Sequence, residues 1–208
     1  MAEGGTELWI RQTIPEKGMG LVAGKERLVS TYRPLEMMFA ATGKEPDALK
    51  GKEVLNVGAG KTHWGFELTE KYKVVAGKFD NFDISYAEQP IVRRLAGKLF
   101  AAETVGDVRK QLPFKDDSYD IVWCSYAPAN WAEFVRVAKP GGEIFVLGGD
   151  ASEERAKALS EQLHEAVISR EIDQRSINQW SDKVSNADRG ALDSMVGKRI
   201  LVIKKQTK

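Results

Sequence analysis

The residues best placed for chemistry are two glycines that directly follow a predicted buried strand. Glu53-Val54-Leu55-Asn56-Val57 is largely apolar, and it runs without interruption into Gly58-Ala59-Gly60. Because glycine has no Cβ, a backbone that contains it can turn sharply and come close to a ligand. The glycine loop, residues 58–60, therefore predicts a site where backbone meets a small molecule at a strand end.

The spacing around the glycine loop excludes two common nucleotide-binding motifs. A phosphate-binding loop that ended in Gly60-Lys61-Thr62 would need a glycine at position 55, which is Leu55. The fingerprint of nicotinamide-dinucleotide enzymes would need a third glycine at position 63, which is His63. A nicotinamide-dependent oxidoreductase is therefore disfavoured.

Three further segments follow the glycine loop in order. Phe82-Asp83-Ile84-Ser85 places an acidic residue where a strand is expected to end. Gly106-Asp107-Val108 does the same and precedes a stretch that runs from Leu112-Pro113-Phe114 to Val122. The last segment, residues 133–142, ends in Pro140-Gly141-Gly142, which stops a helix and starts a strand.

The four ordered segments resemble those of the class I S-adenosylmethionine-dependent methyltransferases, in a form similar to methyltransferase-11 domains. The resemblance runs from about residue 53 to residue 149. It implies S-adenosylmethionine as the cofactor and S-adenosylhomocysteine as the product. It also implies these cofactor-binding residues: Asn56, Gly58, Ala59, Gly60, Thr62, Asp83, Ile84, Asp107, Val108 and Ser125.

By this resemblance, two carboxylates hold the adenosine part of the cofactor. Asp83 would accept hydrogen bonds from both ribose hydroxyls, and such charge-assisted bonds are strong. Asp80 remains an alternative for that role, because the loop-like residues around it leave the end of the second strand undefined. Asp107 would accept the adenine amino group, with the backbone amide of Val108 beside it.

Two positions depart from the family pattern. The chain has Asn56 where the family usually has an acidic residue, and Thr62 where it usually has a third loop glycine. Asn56 adds no negative charge near the cofactor's ammonium group, and Lys61 and Thr62 crowd the methionine end. We therefore expect binding weaker than is usual in the family, or a partner that completes the site.

The acceptor is expected just past the fourth strand, at residues 125–130. Methyl transfer from a sulfonium is an in-line displacement on an activated carbon, so the protein chiefly supplies proximity and alignment. No nucleophilic triad is visible in the sequence, and we assign no catalytic residue. Tyr126 and Asn130 are predicted to face the substrate, and Trp9 is a third candidate.

The loop after the fourth strand limits the acceptor classes. It lacks the Asn-Pro-Pro-Tyr sequence that related enzymes use for exocyclic amino groups of bases, so such an acceptor is disfavoured. The short step from Tyr126-Ala127-Pro128 to Trp131 looks like that of the bacterial ribosomal-RNA guanine-N1 methyltransferases. Those proteins also have an N-terminal four-cysteine zinc module, which this chain lacks. An RNA acceptor stays open, but the near-zero net charge favours a small or locally recognised acceptor.

Strands and helices alternate along the chain and must position these segments. Besides residues 53–57, strands are predicted at residues 73–76, 103–105, 119–124, 143–147 and 199–203. One helix is predicted from Lys25, broken or bent at Pro34 and stopped by Gly43. Further helices are predicted at 64–72, after a capping box at Ser85, from Trp131, and after Ser152 through His164. Such alternation implies crossover connections and a mainly parallel sheet with helices on both faces.

The predicted fold is therefore α/β and Rossmann-like, a doubly wound, mainly parallel sheet. The family resemblance implies seven strands with an antiparallel strand at the C-terminus. We expect a single domain at residues 50–208 that binds S-adenosylmethionine. Residues 1–49 are expected to form an N-terminal helical arm that serves as a lid and selects the substrate.

Composition bounds the remaining possibilities. The chain has 208 residues, with 31 Lys and Arg against 30 Asp and Glu, so its net charge is +1. This balance is typical of a soluble globular protein, which we expect in the cytoplasm, and it gives little electrostatic attraction to nucleic acid. One cysteine, Cys124, and two histidines argue against a disulfide framework and a metal site. No apolar run approaches the roughly 20 residues of a membrane span.

These observations predict an S-adenosylmethionine-dependent methyltransferase that acts on a small-molecule, RNA or protein acceptor. It is expected to be a monomer or weak homodimer with no membrane or metal partner. The alternative is a non-catalytic subunit that keeps the fold to bind a partner. Asn56, Thr62 and the missing acceptor motif would favour that alternative.

Overall fold

Seven strands form one sheet in the described part of the chain, which comprises residues 34–60, 64–83 and 103–207 of a computed structural model. The strands are β1 (Glu53–Val57), β2 (Lys78–Asp83), β3 (Glu103–Val105), β4 (Tyr119–Ser125), β5 (Ala138–Leu147), β6 (Ala166–Glu171) and β7 (Arg199–Lys204). Their order is β3-β2-β1-β4-β5-β7-β6, with β7 antiparallel to both neighbours and the other pairs parallel. The predicted fold class is confirmed.

Six α-helices and a short 3₁₀ helix at Pro46–Leu49 connect the strands within the same residues. The α-helices are α1 (Leu35–Thr42), α2 (Trp64–Tyr72), α3 (Trp131–Val137), α4 (Glu153–Leu163), α5 (Gln174–Ser181) and α6 (Asn186–Asp193). Helix α4 begins as predicted, because the Ser152 hydroxyl accepts a hydrogen bond from the Arg155 amide at 3.1 Å. It ends before His164, which is exposed and adopts a left-handed conformation, so the predicted place of His164 inside this helix is wrong.

Apolar side chains cover both faces of the sheet. On one face, Val54 and Trp123 pack with helices α1, α2, α5 and α6. On the other face, Leu55 and Val57 pack with helices α3 and α4. Strands covered on both sides are nearly continuous in apolar residues, which is why β1 and β4 are visible in the sequence. The two layers hold the carboxyl ends of the parallel strands at one edge.

Helix α1 is part of the first of these cores. Every one of its eight residues is buried. The helix ends at Gly43, which has a left-handed φ of 68° and whose amide donates a hydrogen bond to the Phe39 carbonyl. Residues 34–49 are thus built into the same core as the sheet. The remainder of the expected arm, residues 1–33 with Trp9, lies outside the described residues, as do the capping box at Ser85 and its helix.

The second strand is not where the sequence analysis places it. Residues 73–76 are irregular, with Val75 half-exposed, and β2 lies at Lys78–Asp83 instead. The chain around Gly77 packs against the turn before β1, where the Gly77 amide donates to the Lys52 carbonyl at 2.9 Å. The two segments are in close contact, because a Cβ on Gly77 would lie 2.6 Å from the Gly51 carbonyl oxygen. The strand begins only after this contact, at Lys78.

The polar residues of β2 are satisfied by neighbouring strands. Asp80 is fully buried and accepts a hydrogen bond from the Tyr119 hydroxyl at 2.5 Å, while the Lys78 ammonium lies 2.5 Å from its carboxylate. Asn81 accepts a hydrogen bond from the Asn56 amide at 3.0 Å. Burial, and then the contact with Asp80, raises the pKa of Tyr119, which keeps the hydroxyl protonated as a donor.

We predict that Tyr119→Phe lowers the free energy of unfolding by about 1–3 kcal/mol, since the buried Asp80 carboxylate loses a donor. Urea denaturation monitored by far-UV circular dichroism measures the change. Tyr126→Phe is the matched control, because the half-exposed Tyr126 hydroxyl contacts only the exposed Lys198 ammonium among the described residues. Equal unfolding midpoints for the wild type and Tyr119→Phe would contradict the assignment.

Candidate functional site

The glycine loop folds over the end of β2. Gly58 and Gly60 have φ values of 67° and 59°, in the left-handed region that favours glycine. The Gly58 and Ala59 amides donate to the Phe82 carbonyl at 2.8 and 3.3 Å. The Gly60 amide donates to the Asp83 carboxylate at 2.7 Å. The loop and the end of β2 are therefore held together by three backbone amides.

The loop after β4 packs directly on Gly58. A Cβ at this position would lie 2.4 Å from the Ala127 Cβ, far inside contact distance. The absence of a side chain at Gly58 is thus required by packing as well as by its backbone conformation. This contact sets the distance between the ends of β1 and β4.

Asp83 and Asp80 have different surroundings. Asp83 is the last residue of β2, is partly buried, and lies beside the glycine loop. Asp80 sits within the strand opposite Leu55 and points to Tyr119 in the core. Of the two carboxylates that the sequence left open, Asp83 is the one that reaches the strand end.

Asp107 is held by its own neighbour, Arg109. One carboxylate oxygen accepts from the Arg109 amide at 3.0 Å and from Nε at 2.9 Å, and the other accepts from Nη2 at 2.9 Å. These hydrogen bonds lower the pKa of Asp107 to about 2, so the group is ionised at neutral pH. A carboxylate has about four acceptor positions, which leaves capacity for one further donor.

These groups meet in a cleft at the carboxyl ends of β1 to β4. This narrow cleft has a volume of about 150 Å³ and is lined by Gly58, Phe82, Asp83, Gly106, Asp107, Val108, Arg109, Ala127 and Pro128. Pockets for drug-sized ligands measure about 300–1,000 Å³, so the cleft holds one part of such a ligand. The Asp83 and Asp107 carboxylates, the Gly58 backbone and the apolar side chains in this lining are compatible with the adenosine part of S-adenosylmethionine.

Gly58, Asp83, Asp107 and Val108 were predicted from the sequence as site residues, and all four line this cleft. The other five lining residues were not predicted. Gly106 carried a signal, because it directly precedes Asp107 in the matched segment. A Cβ there would lie 2.7 Å from the Phe82 ring. Phe82 carried the same kind of signal, because it directly precedes Asp83 in its matched segment. No local pattern marks Arg109, Ala127 or Pro128 as lining residues, and they reach the cleft from two separate loops.

Other predicted cofactor residues lie deeper or elsewhere. Asn56, Ala59 and Ser125 are buried, and they do not line the narrow cleft among the described residues. The Asn56 amide faces β2, where it donates to Asn81. Thr62 and Ile84 lie outside the described residues.

A second, wider cleft opens beside the first. Its volume is about 720 Å³, and it is lined by Tyr126, Ala127, Pro128, Ala129, Trp131, Val146, Gly148, Gly149, Asp150 and Arg155. Ala127 and Pro128 belong to both clefts. The loop after β4 is therefore the wall between them.

Tyr126 lies at the rim of the wide cleft in a strained conformation. Its φ is 54°, which costs a non-glycine residue about 1–2 kcal/mol. The turn is kept by a hydrogen bond from its amide to the Leu147 carbonyl at 2.9 Å. The Lys198 ammonium lies 3.1 Å from the Tyr126 hydroxyl and 5.3 Å from the ring centroid. Three other non-glycine residues of the described chain have a similar φ and lie outside both clefts, so it is the place of Tyr126 at the rim that makes it a candidate.

Asn130 differs from the prediction that it faces the substrate. Its side-chain amide nitrogen donates to the Val108 and Lys110 carbonyls, both at 3.0 Å. It is absent from the lining of the wide cleft among the described residues. The side chain is turned toward the loop after β3 and ties that loop to the start of α3.

Neither a membrane-spanning helix nor a metal cluster occurs among residues 34–60, 64–83 and 103–207. No helix there is long and apolar enough to cross a bilayer. No group of three or more His, Cys, Asp or Glu side chains in those ranges is arranged to hold a metal ion.

The chain is similar to known methyltransferases. Residues 54–142 match the model of a family described as a methyltransferase domain. Over 131 residues the chain is 28% identical to the 23S rRNA (guanine(748)-N(1))-methyltransferase of Streptomyces fradiae. That alignment covers 61% of this chain and 45% of the relative, so the chain spans less than half of the relative's length.

Solved structures with the same fold include a chain of the complex between the Haloferax volcanii Trm112 methyltransferase activator and a protein described as a methyltransferase. The TM-score is 0.57 at 18% identity, with 83% of this chain and 90% of that chain covered. The YcgJ protein of Bacillus subtilis gives 0.51 at 15% identity, covering 82% and 98%. At such identities these structures show a shared fold, and with the matched domain they confirm the resemblance seen in the sequence.

We predict that Gly58→Ala destabilises the protein more than Gly51→Ala does. Both glycines have nearly the same φ, 67° and 68°, but a Cβ at Gly51 meets nothing within 4 Å. Left-handed strain should cost each variant about 1–2 kcal/mol. The overlap with Ala127 should cost Gly58→Ala about 1–3 kcal/mol more. Urea unfolding of the two variants measures the difference, and equal losses would contradict the packing argument.

Proposed function

We infer from the class I methyltransferase domain at residues 54–142 that this chain is an S-adenosylmethionine-dependent methyltransferase. The observation that supports this most is the narrow cleft, where Gly58, Asp83 and Asp107 converge from three strand ends. Ligands of open parallel sheets bind outside the carboxyl ends of the strands, where the strand order reverses. In this sheet the order reverses between β1 and β4, beside the cleft.

The residues of the narrow cleft suit distinct parts of the cofactor, which when bound supplies an electrophilic methyl group on a sulfonium. Asp83 accepts the ribose hydroxyls and is oriented by the Gly60 amide. Asp107, ionised at neutral pH, accepts the adenine amino group. Pro128 and Phe82 give the ring apolar walls. The chain thus binds and orients the cofactor chiefly through backbone loops and two carboxylates.

The acceptor occupies the wide cleft. Both clefts include Ala127 and Pro128 in their lining, so an acceptor in the wide cleft lies next to the proposed cofactor site, as proximity catalysis requires. Tyr126 offers an aromatic face and Arg155 a cation in this cleft. Aromatic faces bind planar bases by stacking, and the S. fradiae relative is named for methylating a guanine in ribosomal RNA. RNA is therefore the first acceptor class to test, with small molecules second.

We do not favour the alternative of a non-catalytic subunit. A scaffold would need Gly58 for packing, but it would not need two carboxylates, Asp83 and Asp107, that both line one cleft at the strand ends. Asp107 lines the narrow cleft and keeps acceptor capacity beyond its three hydrogen bonds from Arg109, as a ligand site requires. Asn56 remains the feature by which we expect cofactor binding weaker than in typical family members.

We predict that the isolated chain binds S-adenosylmethionine and S-adenosylhomocysteine and that Asp83→Ala weakens both by about tenfold to a hundredfold, as for loss of bonds to a charged group. Isothermal titration calorimetry gives the dissociation constants. The matched control is Asp193→Ala, an exposed aspartate at the end of α6. No heat and no thermal stabilisation with millimolar ligand would rule out the proposed function.

We further predict methyl transfer that depends on the Tyr126 ring. The chain is incubated with S-adenosyl-[methyl-³H]methionine and with the RNA, protein and small-molecule fractions of a cell extract. Tyr126→Ala should reduce labelling by about tenfold, the loss of one stacked base, while Tyr126→Phe retains it. Tritium in one fraction identifies the acceptor class. No labelled fraction, or equal labelling by all three proteins, would count against this acceptor site.

A further inference from the structure

The Asn130 side chain connects the wall of the two clefts to the loop that presents Asp107. Asn130 belongs to the segment after β4 that also contributes Ala127 and Pro128 to both clefts. Its amide nitrogen donates to the Val108 and Lys110 carbonyls at 3.0 Å each. One side chain therefore satisfies two backbone acceptors on a neighbouring loop.

The two carbonyls lie on either side of Arg109. Arg109 in turn donates its amide, Nε and Nη2 hydrogens to Asp107. The turn is closed by a hydrogen bond from the Lys110 amide to the Asp107 carbonyl at 3.0 Å. A change in the Asn130 amide would thus alter the turn that holds both Asp107 and Val108.

A purely local role for Asn130 does not account for these contacts. Asparagine is a common N-cap residue, whose side chain normally accepts from an amide in the first helical turn. Asn130 is the N-cap of α3, yet its side chain makes no capping hydrogen bond. Its amide is used instead on the loop after β3, 20 and 22 residues away in sequence.

We propose that Asn130 is a positioning residue that fixes Asp107 and the Val108 amide for recognition of the adenine ring. This inference rests on the proposed function. The amide supplies two donors to two carbonyls, which aspartate cannot do, because its carboxylate has acceptors only. Asn130→Asp would place that charge against the Val108 and Lys110 oxygens and displace the turn.

The test compares S-adenosylhomocysteine with S-inosylhomocysteine, in which an oxo group replaces the adenine amino group. Wild type should bind the adenosyl compound at least about tenfold more tightly, the effect of one hydrogen bond to a charged group. The oxo group would face the Asp107 carboxylate, and the ring N1 hydrogen would face the Val108 amide. Isothermal titration calorimetry gives the ratio of dissociation constants without any need for an acceptor.

Asn130→Asp and Asn130→Ala should bring this ratio close to one, chiefly by weakening the adenosyl compound. Asn178→Asp is the matched control, since Asn178 is exposed on α5, and it should keep the wild-type ratio. Thermal unfolding verifies that each variant is folded. If Asn130→Asp does not fold, the comparison uses Asn130→Ala.

Two results would overturn the inference, and they are distinguishable. A wild-type chain that binds neither compound at millimolar concentration removes the proposed function and this inference together. A wild-type chain that discriminates, with folded Asn130 variants that discriminate equally well, leaves the proposed function standing and removes the role of Asn130.

Discussion

The contact between Gly58 and Ala127 is the constraint on which the rest of the site depends. Parallel strands β1 and β4 are neighbours, so the loops that leave their carboxyl ends must cross the same edge of the sheet. They can do so only if one loop lacks a side chain, because a Cβ on Gly58 would lie 2.4 Å from that of Ala127. The loop after β4 thereby forms the wall between the narrow cleft and the wide cleft.

The burial of polar groups explains which strands could be predicted from the sequence and which could not. Strands β1 and β4 are apolar and covered on both faces, so their pattern alone reveals them. Strand β2 is half polar, and its buried Asp80 is tolerated because Tyr119 of β4 and Lys78 of β2 itself satisfy it. Tyr119 lies 39 residues away in sequence, so no local pattern indicates that Asp80 can be buried.

The candidate site was predictable to the extent that its residues stand at strand ends. Gly58, Asp83 and Asp107 each follow or end a strand, and the topology brings those ends together. The orientation of a side chain within a loop has no such signal. Asn130 and Tyr126 stand in one short loop, yet one faces the loop after β3 and the other the wide cleft, because left-handed φ at Tyr126 redirects the chain.

In the proposed function, the shared wall also separates the specificity for the cofactor from the specificity for the acceptor. Beyond Ala127 and Pro128, the narrow cleft is lined by residues at the ends of β1 and β2 and after β3. The wide cleft is lined by the rest of the segment after β4 and by residues from the end of β5 to the start of α4. Substitutions at Asp150 or Arg155 can therefore change the charge offered to an acceptor without touching Asp83 or Asp107. Substitutions in the wall itself affect both clefts, since each loop packs against the other. A fold built this way can vary its acceptor while keeping one cofactor, as long as the wall is preserved.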